Sequence, residues 1–332
     1  MKLSDFDYHL PKHLIAQSPV EQRDNSKLMI VDGGIKHKMF YNLPDYLESG
    51  DVVVLNDSMV VPARIIGKKE TGGRVEVLII KNIDKNYECL IKGKNIRTGM
   101  KIIFSDEISG MVVGRTNHRF IMAFNEEINL HNIGEMPTPP YIKEKLLDQK
   151  RYNTIYAKSK GSIAAPTAGL HFTKNLIEKI KDKGVEIAYI TLHVGAGTFL
   201  PIKQEKIEEH KMEEEYFRID EENAEIINNA KRVVAVGTTV VRALESNCVN
   251  EEIVSKEGMT GLFIYPGYKF KSKINYLLTN FHLPKSTLLL LVCAFAGKER
   301  TFKAYKNAIE NNYGFYSFGD AMMIKKESII YA

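Results

Sequence analysis

The sequence has little cysteine: three residues in 332. Cys89, Cys248 and Cys293 stand far apart, which excludes a zinc ribbon, a redox CxxC pair or a disulfide framework. Reduced thiols in a cytosolic compartment are the natural reading of so sparse a set. Long apolar runs are missing too. The most apolar one, LLLLVCAFAG ending at Gly297, falls well short of the roughly 20 residues a membrane span needs, and it reads as a buried core helix. The first residues, MKLSDFDYHLPKHLIAQSP, hold no apolar segment, so no signal peptide is expected and the expected location is cytoplasmic. There is no internal repeat and no low-complexity stretch. Neither sign of charge is in great excess: the formal net charge is +5 and the pI about 8.8. That mild basic bias is compatible with a polyanionic partner and equally with simple solubility.

What is present is the composition of an ordinary folded protein, 44% hydrophobic and 26% charged, which excludes disorder along most of the chain. The length allows two or more domains. Two textures alternate. From Val60 to about Phe124, six short runs (VVPARIIG, RVEVLIIK, YECLIKG, KIIF, ISGMVVG and RFIMAF) are separated by turn residues. Six strands at this spacing predict a small antiparallel β-barrel. A proline cluster, MPTPPYI, follows as an extended connector. After about Lys150 strands and helices alternate. GSIAAP, VEIAYITLHV, VVAVG, GLFIYP and YLLTNF read as strands. KNLIEKIKDK, EENAEIINNAKR, TTVVRALES and STLLLLVCAFAG read as helices, with Thr173, Asp220 and Ser286 as N-caps and Gly184 as a stop. Apolar strands between helices predict a mostly parallel sheet. The N-terminal LMIVD, helix-like LPDYLESG and DVVVLN share that texture. The expected organisation is a discontinuous α/β domain over residues 1–60 and 150–332, interrupted by a β-barrel domain with its proline-rich connector over residues 61–149.

Ligands of α/β domains meet the carboxyl ends of the strands. Four such ends carry reactive side chains. AAPTAGLHF presents Thr167 and His171 beside Pro166 and Gly169. TLHVGAGTFLP presents His193 before Gly195 and Gly197, whose bare backbone permits close approach of a ligand. The third glycine of a dinucleotide fingerprint is missing, so no NAD site is expected. VGTTVVRALES turns from strand to helix at Gly237 and Thr238, where free N–H groups favour an anion. Its Arg242 and Glu245 stand at i,i+3, a spacing that fits a surface ion pair equally well. LTNFHLPKSTLLLL presents Asn280 and His282. Any one of the three histidines is most simply a buried, hydrogen-bonded core residue. Together they suit proton transfer near neutral pH. A metal site is not expected, since no carboxylate or cysteine partners stand at short spacing.

These stretches together resemble the S-adenosylmethionine:tRNA ribosyltransferase-isomerase family of queuosine biosynthesis. The similarity spans nearly the whole chain, from LIAQSPVEQRDNSKLMIVD and GDVVVLNDSMVVPARI through RYNTIYAKSKGSIAAPTAGLHF, TLHVGAGTFLPI, VGTTVVRALES, IYPGYKFK and LLTNFHLPKSTLLLLVCAFAG to FYSFGDAM. The resemblance implies a barrel-like α/β main domain with an inserted six-stranded β-barrel. It implies that S-adenosylmethionine serves as ribosyl donor to 7-aminomethyl-7-deazaguanine at the wobble position of tRNA. The product is epoxyqueuosine-tRNA, with adenine and methionine released and no metal or redox cofactor. On that reading His171, His193 and His282 are the acid–base candidates, without an order among them. Pro166, Thr167, Gly195, Gly197, Thr198, Arg242, Glu245, Asn280 and Asp320 are candidates for binding the donor, with Arg242 meeting the methionine carboxylate and Asn280 the adenine or ribose. Lys92, Lys94, Arg97 and Lys101 of the insert, joined by Arg115 and Arg119, are candidates for gripping the anticodon arm of a protein expected to be monomeric. A solvated barrel surface accounts for those charges equally well. Four positions depart from the family pattern. Met59 and Gly314 stand where arginine is usual, Glu213 where histidine is, and Asn275 where aspartate is. Two other classes of function remain open: a nucleotide-dependent enzyme acting on a small molecule, and an RNA-binding module without catalysis.

Overall fold

A run such as DVVVLN has no polar face, so it is stable only where both sides of a sheet are covered. In the computed structural model all six of its residues are buried in the strand Asp51–Asn56. The structure describes every residue except 117, 118, 140, 145–147, 196, 198–201, 203 and 328–332, and the side chain of residue 131. The chain divides into two units. One comprises Met1–Met59, Pro140–Ser159 and Ala165–Ala332; the other comprises Val60–Pro139 and Lys160–Ala164.

The larger unit is built on a nine-stranded mixed sheet. Its centre is four parallel strands in the order Glu186–Leu192, Asp51–Asn56, Arg232–Val236 and Ile274–Asn280. Ala321–Lys325 follows antiparallel to Ile274–Asn280 and parallel to Lys27–Val31, whose hairpin partner Ile35–Met39 ends the sheet. At the other side Glu215–Ile219 and Lys256–Thr260 are antiparallel. The expectation of a mostly parallel sheet is therefore corrected: the four central strands are parallel, one margin is antiparallel, and the other mixes two antiparallel pairings with one parallel pairing. Lys27–Val31 and Ile35–Met39 are joined by three residues, and a connection that short admits no crossover. The four central strands point the same way, so their carboxyl ends at Asn56, Leu192, Val236 and Asn280 lie along one edge. Ala321 pairs with both Asn280 and Leu28, which brings the amino ends of two further strands to that edge.

The capping residues act as the sequence implies. Thr173, Asp220 and Ser286 each accept a hydrogen bond from the third following backbone N–H, opening the helices Lys174–Asp182, Glu221–Asn228 and Thr287–Ala296. Gly184 stops the first of these at φ +75°, and Gly237 enters the helix Thr238–Ser246 at φ +92°. On one face of the sheet, Val53, Leu55, Val234, Val236, Leu278 and Met323 pack with Phe40, Leu43, Phe172, Leu176 and Ile180. Two local expectations differ. GLFIYP is not a strand; the strand is the preceding Lys256–Thr260, whose residues pair with Glu215–Ile219. GSIAAP keeps strand geometry only as Ser159–Ser162, because Pro166 opens a 3-10 turn directly after it. LPDYLESG lies within and after the 3-10 helix Phe40–Tyr46, which holds Pro44.

The smaller unit is a closed antiparallel barrel of six strands: Arg64–Lys69, Arg74–Ile83, Asn86–Lys92, Lys101–Ile103, Ser109–Thr116 and Arg119–Phe124. Alternation puts Ile65, Val75, Val77, Cys89, Ile102, Val112 and Met122 inside. Burial pushes the Cys89 thiol up to about 12, so it stays protonated and packs as a small apolar group. Among the described residues all three cysteines are buried and free. No helix of the described residues is long and apolar enough to cross a membrane.

The register of the central strands is pinned at their amino ends. Asp51 is 1% exposed and accepts from Arg232 Nε and Nη2 at 2.8 and 2.6 Å and from the Glu48 N–H at 2.8 Å. Asp51→Ala leaves these donors without their acceptor. It is expected to cost about 3 kcal/mol, measured as a lower urea midpoint at unchanged slope.

Candidate active site

Asn280 is the hub of the carboxyl edge. It ends its strand 2% exposed, and its side chain contacts three residues. Thr167 Oγ1 donates to Asn280 Oδ1 at 3.2 Å, while Asn280 Nδ2 faces His171 Nε2 at 3.2 Å and the Gly319 carbonyl at 3.4 Å. With the amide in this orientation, Nε2 of His171 is the acceptor and Nδ1 carries the proton. Nδ1 donates to Ser26 Oγ at 2.8 Å, and Ser26 donates to the Arg23 carbonyl at 3.4 Å. The His171 ring also stacks on Phe40, with centroids 4.8 Å apart. Burial first, and then the Arg23 charge, lower the His171 pKa to about 3, so the ring is neutral at neutral pH.

The turn that presents His171 is shaped by its neighbours. Pro166 accepts from the Gly169 N–H at 2.9 Å and opens the 3-10 turn Thr167–His171. A Cβ at Gly169 would overlap the Tyr156 hydroxyl, so only glycine fits above that ring.

A second cluster forms where Asp51–Asn56 and Glu186–Leu192 end. Asn56 bridges the two strands, accepting from the Leu192 N–H and donating to the Leu192 carbonyl, both at 3.0 Å. The next residue, Asp57, accepts from the Thr191 hydroxyl at 2.6 Å and the Ser159 hydroxyl at 3.0 Å. His193 lies beside this carboxylate, half-buried and stacked on Tyr216 with centroids 5.4 Å apart. Its Nδ1 is buried and has no hydrogen-bond partner among the described residues, and the same holds for the Tyr156 hydroxyl. Burial lowers the His193 pKa, and the Asp57 charge pulls it back upward.

His282 is tied differently. Its ring meets Thr279 Oγ1 at 2.9 Å, its N–H donates to Tyr305 at 3.0 Å, and its carbonyl accepts from the Tyr8 hydroxyl. Burial lowers its pKa to about 3. Arg242 and Glu245 do not pair with each other. Arg242 forms a buried ion pair with Glu215 and donates to the Leu262 carbonyl at 2.9 Å and the Thr260 carbonyl at 3.4 Å. Glu245 accepts from the N–H groups of Lys271 and Ser272 at 2.8 and 3.0 Å and from Tyr268 at 3.1 Å. Glu215 also accepts from the Gly195 N–H at 2.7 Å, so the loop after His193 is anchored to the Arg242 pair. Gly197 faces Glu213, and Thr198 lies outside the described residues. Asp320 accepts from the N–H groups of Lys27 at 2.6 Å and Gly314 at 2.7 Å; burial raises its pKa, and these bonds lower it. Among the described residues no three His, Cys, Asp or Glu converge to hold a metal ion.

The structure thus joins Thr167, His171 and Asn280 in one network and sets His193 in another. Sequence reasoning missed Asn56, Asp57, Ser26 and Tyr156. The strand-end rule finds Asn56 and Asp57 when it is applied to DVVVLND as well as to the strands after Lys150. Two departures from the family pattern have a local account. Asn275 Oδ1 accepts from the Val233 N–H at 2.8 Å, a bond an aspartate would also make. Gly314 packs against Gly319, where a Cβ would lie 3.2 Å from Cα, so a larger residue needs the turn to shift.

A family model described as "Queuosine biosynthesis protein" matches residues 3–324. The chain is 52% identical over 339 residues to the S-adenosylmethionine:tRNA ribosyltransferase-isomerase of Carboxydothermus hydrogenoformans. It is 51% identical over 344 residues to that of Caldanaerobacter subterraneus subsp. tengcongensis; both alignments cover 98% of this chain and 100% of the relative. It is also similar to the crystal structure of an S-adenosylmethionine tRNA ribosyltransferase from Thermotoga maritima. That match has 38% identity and a TM-score of 0.56, covering 96% of this chain and 99% of the other.

Gly169→Ala is expected to destabilise the protein by about 1–3 kcal/mol through overpacking against Tyr156. Adding Tyr156→Phe removes the overlapping hydroxyl and should restore part of the loss. Thermal or urea unfolding of the single and double variants measures both; equal losses would show that the hydroxyl is not the obstacle.

Proposed function

The chain belongs to the queuosine biosynthesis protein family, and from that membership we infer that it is an S-adenosylmethionine:tRNA ribosyltransferase-isomerase. It transfers the ribosyl moiety of S-adenosylmethionine to the 7-aminomethyl-7-deazaguanine of tRNA and isomerises it, giving epoxyqueuosine-tRNA with release of adenine and methionine. The full-length identity above 50% to two such enzymes is the observation that carries the reading. S-adenosylmethionine enters as a substrate, and the reading calls for no metal or redox cofactor. The protein works in the cytoplasm as a monomer.

The chemistry needs a base that removes a proton next to the sulfonium, and proton traffic as adenine and methionine leave. Of the three candidate histidines, His193 is the one suited to accept a proton. Burial lowers its pKa and so favours the neutral ring, its Nδ1 has no partner among the described residues, and Asp57 favours the charged form once it arises. His171 has both ring nitrogens engaged and orients Asn280 and Thr167 toward the donor. His282 holds the end of its strand against Tyr8 and Tyr305. The anticodon arm is held by the barrel, where Lys92, Lys94, Arg97 and Lys101 are all exposed and the loop carrying Lys94 and Arg97 projects between strands. Arg119 contributes less charge there, because it pairs with Glu88 at 2.6 Å.

The direct test incubates the protein with S-adenosylmethionine and tRNA bearing the aminomethyl base, followed by nucleoside mass spectrometry. The expected result is the ribosyl-derived mass increment with adenine release that depends on RNA. RNA bound without the increment would favour a binding module, and adenine release without RNA would favour a small-molecule enzyme. His193→Ala should lower kcat by about 100-fold or more. The base must be neutral, so activity is lost as pH falls through the His193 pKa, below its ordinary value of about 6.5. Asp57→Asn removes the charge that raises that pKa and should move the acidic limb to lower pH. A limb that stays in place would mean that Asp57 does not act on His193. Lys94→Glu with Arg97→Glu should weaken tRNA binding and flatten its salt dependence by about one unit of slope per lost phosphate contact. An unchanged slope would remove both residues from the interface.

A further inference from the structure

Among the described residues, two arginines beside His171 have no carboxylate partner. Arg23 donates from Nη1 to the Leu170 carbonyl and from Nη2 to the Asn153 carbonyl, both at 2.9 Å. Arg151 donates to the carbonyls of Glu21 at 2.7 Å and Val20 at 2.6 Å. Among the described residues neither forms an ion pair with a carboxylate. Asp24, next to Arg23, is occupied by Gln22 at 2.9 Å and Thr173 at 3.0 Å. Asp148 acts on Arg23 only at a distance and caps its own turn through the Lys150 N–H. Burial lowers the Arg23 pKa, and repulsion from the Arg151 charge adds to it. Arg151 Nε is buried with no hydrogen-bond partner among the described residues.

Both arginines line one narrow crevice, together with His171, Ser317, Phe318 and Pro19. Backbone carbonyls fix the orientation of the guanidinium planes but do not neutralise their charge. An oxyanion in the crevice would do that and would give the Arg151 Nε–H an acceptor. The planar fork of arginine suits a carboxylate or phosphate group. Arg242, the arginine that the sequence suggests for the methionine carboxylate, is instead paired with the buried Glu215.

We propose that Arg23 and Arg151 form an oxyanion subsite opening beside His171, taking a carboxylate or phosphate oxygen of a substrate. Under the reaction inferred above, on which the identity of the anion rests, two sources present that chemistry: the α-carboxylate of S-adenosylmethionine and a tRNA phosphodiester. The existence of the subsite does not depend on turnover.

The test is modification of the wild-type protein by an arginine-directed dicarbonyl, with the rate at Arg23 and Arg151 mapped by peptide mass spectrometry. Inorganic phosphate is expected to slow modification at these two positions. Protection by S-adenosylmethionine but not by its decarboxylated analogue identifies the carboxylate; protection by tRNA alone identifies the phosphodiester. Absence of protection by phosphate, S-adenosylmethionine and tRNA alike would overturn the subsite. Arg151→Gln, checked for folding by its thermal transition, should raise KM for the protecting substrate by about ten- to a hundredfold. Protection without ribosyl transfer would leave the subsite standing and sink the reaction assigned to the protein.

Discussion

A polar side chain taken out of water must find a partner inside the protein, and the carboxyl edge of the central sheet is arranged around that requirement. Four parallel strands end there, and each end brings side chains or backbone groups that hydrogen-bond. Asn280 meets it by spending both ends of its amide on the Thr167–His171 turn and on Gly319. Asn56 meets it by closing on the backbone of Leu192 from both sides. Each asparagine thus ties its own strand end to a neighbouring segment. The atoms that escape the rule then become informative. His193 Nδ1, the Tyr156 hydroxyl and Arg151 Nε are buried and unpaired among the described residues, and all three belong to the unit that carries this edge. An unpaired buried donor or acceptor costs about 1–3 kcal/mol, and Tyr152, Thr154 and Asn247 of the same unit each carry one more, so each is a place where water or a bound group can supply the partner.

Two ion pairs support that edge from different directions, one buried and one with a partly exposed arginine. Asp51 and Arg232 are register partners at the amino ends of neighbouring strands, so their pairing fixes where both strands finish. A slip of one residue would reverse the faces of two valine-rich strands. Glu215 and Arg242 act later in the chain. Glu215 binds the Gly195 N–H as well as the guanidinium, so it ties the loop after His193 to the helix Thr238–Ser246. The Arg242 charge is thus spent inside the fold on Glu215.

Much of this was legible in the sequence, for definite physical reasons. The six barrel strands could be read because each alternates and is bounded by turn residues. The helix caps could be read because Thr173, Asp220 and Ser286 satisfy backbone donors through short local bonds. The direction of the marginal strands could not be read, since it depends on which edge each strand joins. GLFIYP has the apolar character of a strand, yet the strand is KEGMT, selected by its pairing with Glu215–Ile219. At the site, spacing suggested a pair between Arg242 and Glu245, while the fold gave each a partner more than 15 residues away. Asp57 was missed because its meaning lies in Thr191 and Ser159, both over 100 residues distant.

The three histidines show why residue type alone does not assign a role. All three are neutral through burial, but neutrality serves different ends. At His171 both ring nitrogens are occupied, one by Asn280 and one by Ser26, so accepting a proton would break a bond on which the Thr167 turn depends. At His282 the ring and both backbone groups are engaged by Thr279, Tyr305 and Tyr8, and protonation would put a charge in the core with no counter-ion. At His193 the opposite holds: among the described residues Nδ1 has no partner to lose on protonation, and a carboxylate held by two hydroxyls favours the cation. Burial lowers His171 and His282 alike to about 3, whereas the Asp57 charge offsets part of the burial at His193, so protonation costs least at the histidine proposed above as the proton acceptor.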